Sequence, residues 1–101
     1  MKPKVVVAPE AEDQLLALYR YIAAQASPET ASEYVSAILD RCDSLAHFPE
    51  RGTPRDEIRP GLRTIPFRRR VTIAYRVLDE EVAILGIFYG GRDIGAFFDE
   101  E

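Results

Sequence analysis

Hydrophobic positions follow a helical spacing in the first half of the chain. A short β-branched run, Lys4 to Val7, comes first and predicts a strand. Apolar residues then recur every three or four positions, as on one face of a helix: Ala11, Leu15, Leu18, Ile22 and Ala26. Pro9 is placed in the first turn of this predicted helix, where a proline is tolerated because its missing N–H is not needed.

A second amphipathic helix follows with almost no connection. Ser27 is predicted to cap it and Pro28 to be its first residue, because hydroxyl side chains and proline favour these two positions. Its apolar stripe is predicted to extend to the residue before Pro49: Tyr34, Val35, Ile38, Leu39, Cys42, Leu45 and Phe48. Two such helices with a minimal connection indicate an αα-hairpin.

The segment FPERGTPRDEIRPGLR, residues 48–63, contains three prolines and two glycines and therefore predicts an irregular loop. From Leu62 onward the hydrophobic period changes to two. Apolar residues alternate with more polar ones, which predicts a half-buried strand: Val71, Ile73, Tyr75 and Val77.

The last part of the chain predicts one more strand and an apolar end. Asp79 and Glu80 indicate a tight turn, and VAILGIFY, residues 82–89, is apolar on both faces, as in a central strand. The segment GGRDIGAFFDEE, residues 90–101, predicts a turn followed by a short apolar patch.

This order of elements predicts an α+β fold: an N-terminal strand, a two-helix hairpin and a three-stranded antiparallel meander, with the helices packed on one sheet face. The 101 residues fit a single domain, 1–101. Cys42 is the only cysteine, which excludes an internal disulfide and suits a reducing cytosol. No apolar run approaches the roughly 20 residues of a membrane span. We therefore expect a cytoplasmic protein without membrane contact, metal or cofactor.

Charge is sorted along the chain. Residues 1–50 carry a net charge of −4, residues 51–78 carry +6 and residues 79–101 carry −6, for −4 overall. Every basic residue of the middle block is an arginine, which suits bidentate contacts with carboxylates or phosphates. Arg68 to Arg70 stand together before a predicted strand. They could bind RNA phosphates, bind an acidic protein, or be solvated or paired within the chain.

Four stretches carry a family resemblance: APEAEDQLLALYRYIA, LAHFPERGTPRDEIRPGLRTIP, TIAYRV and VAILGIFYGGRDI. In them the chain resembles the ParE/RelE superfamily of type II toxin–antitoxin toxins, and the ParE branch in particular, over nearly its whole length. The resemblance implies a RelE/ParE-like fold and a small cytosolic toxin that a cognate ParD-like antitoxin neutralises by direct binding. The chain differs from the commoner pattern of the family at Phe67–Arg69, where a shorter glycine-containing turn is usual.

The resemblance leaves the target open between two classes. ParE-like members are associated with inhibition of DNA gyrase, whereas RelE-like members cleave messenger RNA on the ribosome. In a ParE-like system, contact with DNA is expected only through the antitoxin. A module that binds an antitoxin but has lost its target activity is a third possibility.

A ribonuclease without metal needs groups that activate the 2′-hydroxyl, stabilise the phosphorane and protonate the leaving oxygen. In that case three arginines would stabilise the phosphate: Arg70, Arg76 and Arg92. However, Phe97 and Phe98 stand near the C-terminus, where a titratable ring would be wanted, and Tyr75 is expected in the core. A protein-binding toxin without catalytic residues is therefore the preferred interpretation.

Partner contacts are predicted for arginines of the sheet and for the apolar end of the chain: Arg63, Arg68, Arg69, Arg70, Arg92, Phe97 and Phe98. Because the last hairpin turns at residues 79–80, residues 68–70 should lie opposite residues 89–91, far from the acids at that turn. The two phenylalanines are expected either to cap the core or to meet the partner. The expected ligand is a carboxylate-rich protein surface.

Overall fold

A computed structural model describes residues 3–99. It contains five strands and three helices in the order β1 (Lys4–Val7), α1 (Pro9–Gln25), α2 (Pro28–Ser44), β2 (Thr53–Pro54), β3 (Leu62–Phe67), β4 (Val71–Leu78), β5 (Glu81–Tyr89) and α3 (Ile94–Asp99). The predicted α+β fold, with an N-terminal strand, a helix pair and an antiparallel meander, is confirmed. None of the helices within residues 3–99 is both long enough and apolar enough to cross a bilayer.

The strands form one sheet in the order β1-β5-β4-β3-β2. Strands β3, β4 and β5 pair antiparallel, whereas β1 runs parallel to β5, with Val5 opposite Val82. A parallel pair needs a long crossover, which in this chain includes the helix pair. The loop of residues 48–63, predicted to be irregular, contributes the two-residue strand β2, which pairs with Arg63 and Thr64 of β3.

Both helices begin where the sequence predicts. The hydroxyl of Ser27 accepts a hydrogen bond from the N–H of Thr30 at 3.1 Å, and proline stands in the first turn of each helix. Their ends differ from the prediction. Ala26 is the exposed C-cap of α1, and α2 ends at Ser44, so the helical spacing does not continue to Phe48. The Phe48 side chain is 67% exposed, and its predicted place on the apolar stripe is wrong.

The sheet is covered on both faces. The helix pair packs on one face over a cluster that includes Leu15, Ile38, Ile73 and Tyr75. On the other face, Phe98 of α3 packs in a second cluster with Leu62, Ala74 and Phe88. The C-terminal segment was predicted to be a turn followed by a short apolar patch, and the structure shows in addition that this patch folds as the helix α3. In this helix Phe98 is buried against the sheet and Phe97 is half-buried.

Strand β5 contributes side chains to both clusters and contains a bulge. Ala74 of β4 lies opposite Gly86, but the next residue of β4 lies opposite Ile84, so Leu85 is the extra residue. The side-chain oxygen of Gln14 in α1 accepts a hydrogen bond from the N–H of Ile87 just beyond the bulge. A Cβ at Gly86 would lie 2.5 Å from Cε2 of Phe88, so packing requires glycine there. The bulge, Gly86 and the Gln14 contact therefore lie together where α1 packs on β5.

Candidate partner-binding surface

Residues 68–70 form the turn between β3 and β4, and we call them the arginine turn. Phe67 and Val71 pair at its base, and all three arginines are exposed. Arg68 has a φ of 53°, in the left-handed region that residues other than glycine rarely adopt. The carbonyl of Arg70 accepts a hydrogen bond from the N–H of Gly90 at 2.7 Å. The turn therefore lies beside the end of β5, as the hairpin register predicts.

The Arg68 guanidinium is packed on aromatic rings. Its carbon Cζ lies 4.8 Å from the ring centre of Phe67 and 5.2 Å from that of Tyr34. Such cation–π contacts stabilise by about 0.5–1 kcal/mol each at exposed sites. The sequence leaves solvation, ion pairing and partner binding open for this residue and does not indicate the stacking. Stacking uses the face of the guanidinium and leaves N–H groups at its edge for a carboxylate.

Phe67 is also covered by an arginine of α2. The Cζ atom of Arg41 lies 5.8 Å from the ring centre of Phe67, and its Nη1 donates to the carbonyl of Pro66 at 3.1 Å. Burial raises the pKa of Tyr34, the nearby Tyr89 adds to this shift, and the charges of Arg68 and Arg70 oppose it. Arginines and aromatic rings therefore lie together at this end of the sheet.

Within residues 3–99 the structure contains one ion pair, in which Nε of Arg55 lies 2.7 Å from Oε2 of Glu57. In this part of the chain the three arginines of the turn and Arg92 have no carboxylate partner. Arg63 is half-buried, and its Nη1 donates to the carbonyl of Glu50 at 2.6 Å, which ties the loop before β2 to β3. Among residues 3–99, most of the predicted partner-binding arginines thus have no carboxylate partner.

A groove of about 310 Å³ lies between α1 and β5, and we call it the α1–β5 groove. It is lined by Gln14, Ala17, Leu18, Tyr21, Ile87, Tyr89 and Arg92. The ring centres of Tyr21 and Tyr89 are 5.8 Å apart, and Tyr21 is 51% exposed. Of the lining residues, only Arg92 was predicted from the sequence as a partner contact, and the two tyrosines were not. The sequence signal that could have indicated this groove was Tyr21, an aromatic residue outside the apolar stripe of its helix.

The three arginines of the ribonuclease alternative do not meet. Arg70 and Arg92 lie at one end of the sheet, beside the end of β5. Arg76 lies six residues further along β4, roughly 20 Å away at about 3.3 Å per residue. It lines a different cavity, of about 180 Å³, together with Phe97 and Phe98. Part of its side chain covers Gly61, where an added Cβ would lie 3.2 Å from its Nε.

Phe97 and Phe98 belong to the second cluster. Phe98 is only 6% exposed, and its ring centre lies 5.1 Å from that of Phe97 and 6.2 Å from that of Phe88. The guanidinium carbon of Arg59 lies 5.6 Å from the Phe98 ring centre. Of the two expectations for this pair, Phe98 follows the first and caps the core. Phe97 is half-buried and keeps part of its surface.

Tyr75 is fully buried, as the sequence predicts, and its hydroxyl donates a hydrogen bond to the carbonyl of Arg51. Burial raises its pKa, so the phenol keeps its proton at neutral pH. Tyr75 is therefore remote from any substrate at the surface. Residues 3–99 also contain no group of three or more His, Cys, Asp or Glu side chains that could hold a metal ion.

Known proteins are similar to this chain in sequence and in fold. The family model of the ParE toxin of type II toxin-antitoxin systems, parDE, matches residues 5–94. Toxin ParE3 of Caulobacter vibrioides is 38% identical over 65 residues, which are 60% of this chain and 64% of that protein. A solved structure from P. aeruginosa, of a chromosomal ParDE toxin–antitoxin system, superposes with a TM-score of 0.78 at 26% identity. It covers 88% of this chain and 97% of the other.

The fold and these matches define a toxin of the type II toxin–antitoxin class. Because the family model spans most of the chain, the chain belongs to the ParE toxin family. The resemblance to the ParE branch stated from the sequence is thereby confirmed. The chain spans 64% of the length of the curated relative that it matches.

Proposed function

We propose that this chain is a toxin that a cognate ParD-like antitoxin holds inactive by direct binding, and that its target is DNA gyrase. The family match over residues 5–94 carries the proposal. The likeness to a solved ParDE system supports an antitoxin as the partner. The toxin would act in the cytoplasm, and the complex would contact DNA through the antitoxin only.

Arginines without ion-pair partners support an acidic protein as the ligand. An arginine that is already neutralised within the fold must break that contact before it binds a partner. Within the described part of the chain, Arg68, Arg69, Arg70 and Arg92 have no such contact to break. Arg63 would contribute from β3, Phe97 would contribute from the second face of the sheet, and Phe98 would act by packing α3 on that face.

The arrangement of the arginines disfavours the ribonuclease alternative. Metal-free cleavage needs phosphate-binding and proton-transferring groups around one scissile bond. Arg76 lies roughly 20 Å from Arg70 along β4 at about 3.3 Å per residue. Tyr75, the neighbouring titratable ring, is buried and hydrogen-bonded to the backbone. Recognition of a protein target requires no such convergence.

The experiment is controlled expression in bacteria without the antitoxin, with plasmid supercoiling and transcript integrity measured together. We expect growth arrest and altered supercoiling, with intact messenger RNA at early times. Purified toxin should also inhibit supercoiling by purified gyrase. Co-expression of the open reading frame adjacent to the toxin gene should restore growth if it encodes the antitoxin.

Two outcomes contradict the proposal. Early codon-specific cuts in messenger RNA with normal supercoiling would identify a ribonuclease. Absence of growth arrest and of both molecular defects, in a protein that still binds the antitoxin, would identify an inactive binding module. The Arg76→Gln variant further distinguishes a ribonuclease from a gyrase inhibitor. It should reduce RNA cleavage if the chain is a ribonuclease, and it should leave gyrase inhibition unchanged under our proposal.

A further inference from the structure

The cavity of about 180 Å³ that contains Arg76 lies on the second face of the sheet and shares no lining residue with the α1–β5 groove. We call it the second-face cavity. Strands β4 and β5 line it with Leu78 and Leu85, and α3 lines it with Phe97. Arg59, from the loop before β3, lines it together with Arg76. One cavity therefore combines apolar side chains with two guanidinium groups.

Arg76 is packed against the loop before β3. An added Cβ at Gly61 would lie 3.2 Å from Nε of Arg76 and 3.7 Å from its Cγ, so the arginine side chain occupies the space that a larger residue would fill. Gly61 has a φ of 82°, which glycine adopts without steric cost, and its N–H donates to Oδ1 of Asp56 at 2.9 Å. A side chain that is already ordered in this way loses less conformational entropy when it binds a ligand.

Arg59 stands on a loop that backbone hydrogen bonds close. Its N–H donates to the carbonyl of Arg55 at 3.2 Å, and its carbonyl accepts from the N–H of Leu62 at 3.0 Å. The guanidinium carbon lies 5.6 Å from the ring centre of Phe98, within the distance of a cation–π contact. The charge of Arg59 is therefore held in the lining of the same cavity.

The charges of the cavity favour a ligand with one negative charge. Arg59 and Arg76 are its cationic residues, and Glu10, exposed in the first turn of α1, is its only carboxylate. These three groups leave one net positive charge, and Asp56 lies next to Gly61 at the cavity's edge. Because a phosphate dianion would be repelled more strongly by the two carboxylates, a monoanion is the better match.

The rest of the lining is apolar: Ala8, Leu78, Ala83, Leu85, Phe97 and Phe98. Leu78 is 40% exposed, so apolar surface remains that a ligand would remove from water. The volume of about 180 Å³ is smaller than the roughly 300–1,000 Å³ of pockets that enclose drug-sized ligands. A fitting ligand is therefore a single apolar group that carries one charge.

We propose that the second-face cavity binds a small apolar monocarboxylic acid of about the size of benzoate. Because Nε of Arg76 lies against Gly61, the terminal N–H groups of the guanidinium bind the carboxylate, and Arg59 adds a second positive charge. The apolar body of the ligand covers Leu78 and Phe97. This site goes beyond the proposed function and does not depend on it.

The test is a titration of the purified, ¹⁵N-labelled full chain with sodium benzoate, followed by two-dimensional NMR. Benzyl alcohol, which has the same ring without the charge, is the neutral probe. We expect saturable shifts of the Nε–H signal of Arg76 and of the backbone N–H signals of Leu78 and Phe97. Benzoate should bind about tenfold more tightly than benzyl alcohol, because hydrogen bonds to charged groups are the stronger ones.

Two variants address the charged and the apolar parts of the cavity. Arg76→Gln should weaken benzoate binding about tenfold, since the charge-assisted hydrogen bonds are lost. Arg20→Gln is the matched control, because it removes the same charge from an exposed position of α1 outside the cavity, and it should leave the affinity unchanged. Leu78→Glu, at a partly exposed position, should abolish benzoate binding by repulsion, whereas Leu78→Gln should weaken it less. The NMR spectra show whether each variant is folded.

Three outcomes would overturn the proposal: no saturable shift with benzoate, equal affinities for benzoate and benzyl alcohol, or unchanged benzoate binding by a folded Arg76→Gln variant. Phenyl phosphate is titrated in parallel, and tighter binding of phenyl phosphate than of benzoate would identify a phosphate site instead. Failure of gyrase inhibition with benzoate binding intact would contradict the proposed function alone. Gyrase inhibition without benzoate binding would contradict this site alone.

Discussion

The side-chain oxygen of Gln14 lies 2.7 Å from the backbone nitrogen of Ile87 and accepts its hydrogen bond. Ile87 stands two residues beyond Leu85, the extra residue of the β5 bulge, where the ladder to β4 is disrupted. A helix side chain thus satisfies a strand N–H at the bulge. This contact ties α1 to β5 in the wall of the α1–β5 groove.

Replacing Gln14 by Leu should destabilise the protein by about 1–3 kcal/mol, because the N–H of Ile87 would lose its partner in a partly buried place. Urea denaturation followed by circular dichroism should give a lower midpoint with an unchanged slope. Gln14→Glu keeps an acceptor oxygen at the same position and is the control. A Leu variant as stable as the Glu variant would show that the hydrogen bond contributes nothing.

Substitutions of Arg68 should separate its backbone strain from its stacking. Arg68→Ala and Arg68→Gly both lose the cation–π contacts, but glycine adopts the left-handed φ of 53° without steric cost. We expect the Gly variant to be about 1 kcal/mol more stable than the Ala variant. The free energy of unfolding in urea measures the difference.

Arg69 provides the control for this pair. Its φ is not positive, since Arg68 is the only residue other than glycine with positive φ among the described residues. The order at Arg69 should therefore be reversed or level, with the Ala variant at least as stable as the Gly variant. The same order at both positions would mean that strain at Arg68 does not affect stability.

Two phenylalanines should respond very differently to truncation. Phe98 is 6% exposed and Phe48 is 67% exposed. Phe98→Ala should cost about 3–5 kcal/mol, because it removes a buried ring from the second cluster. Phe48→Ala should change stability by no more than about 0.5 kcal/mol. Thermal unfolding of both variants checks this, and similar melting temperatures would contradict the packing of α3 on the sheet.

Cys42 should make the protein less stable at alkaline pH. Burial raises the pKa of its thiol from 9.0 to about 12. The folded state therefore holds this proton more tightly than the unfolded state does, so the contribution is complete below pH 9 and is lost as the pH rises toward 12. Unfolding free energies measured from about pH 8 to about pH 10 should fall less steeply in Cys42→Ala than in the wild type.

Other groups contribute to the same alkaline loss. Burial also raises the pKa of Tyr34 and Tyr75, so the Cys42→Ala variant should retain part of the slope. The decisive quantity is the difference between the two curves. Parallel curves for the wild type and the variant would mean that the thiol ionises equally readily in both states.

The sequence alone determined the elements whose signals are local. Helical spacing and the Ser27 cap located α1 and α2, and alternation located the β4–β5 hairpin and its register. From that register it followed that residues 68–70 lie beside the end of β5. These features depend on residues within a few positions of one another, so periodicity and turn chemistry are sufficient to predict them.

The tertiary structure alone decided the rest. The bulge at Leu85, the packing of Phe98 on the second face and the stacking of Arg68 on Tyr34 join residues distant in the sequence. The apolar C-terminal segment folds as the helix α3 on the second face of the sheet, where Phe98 is buried. The sequence of the segment does not show that this surface is available. The site follows the same rule. The arginines were visible in the sequence, but the groove beside them forms only where α1 packs against β5.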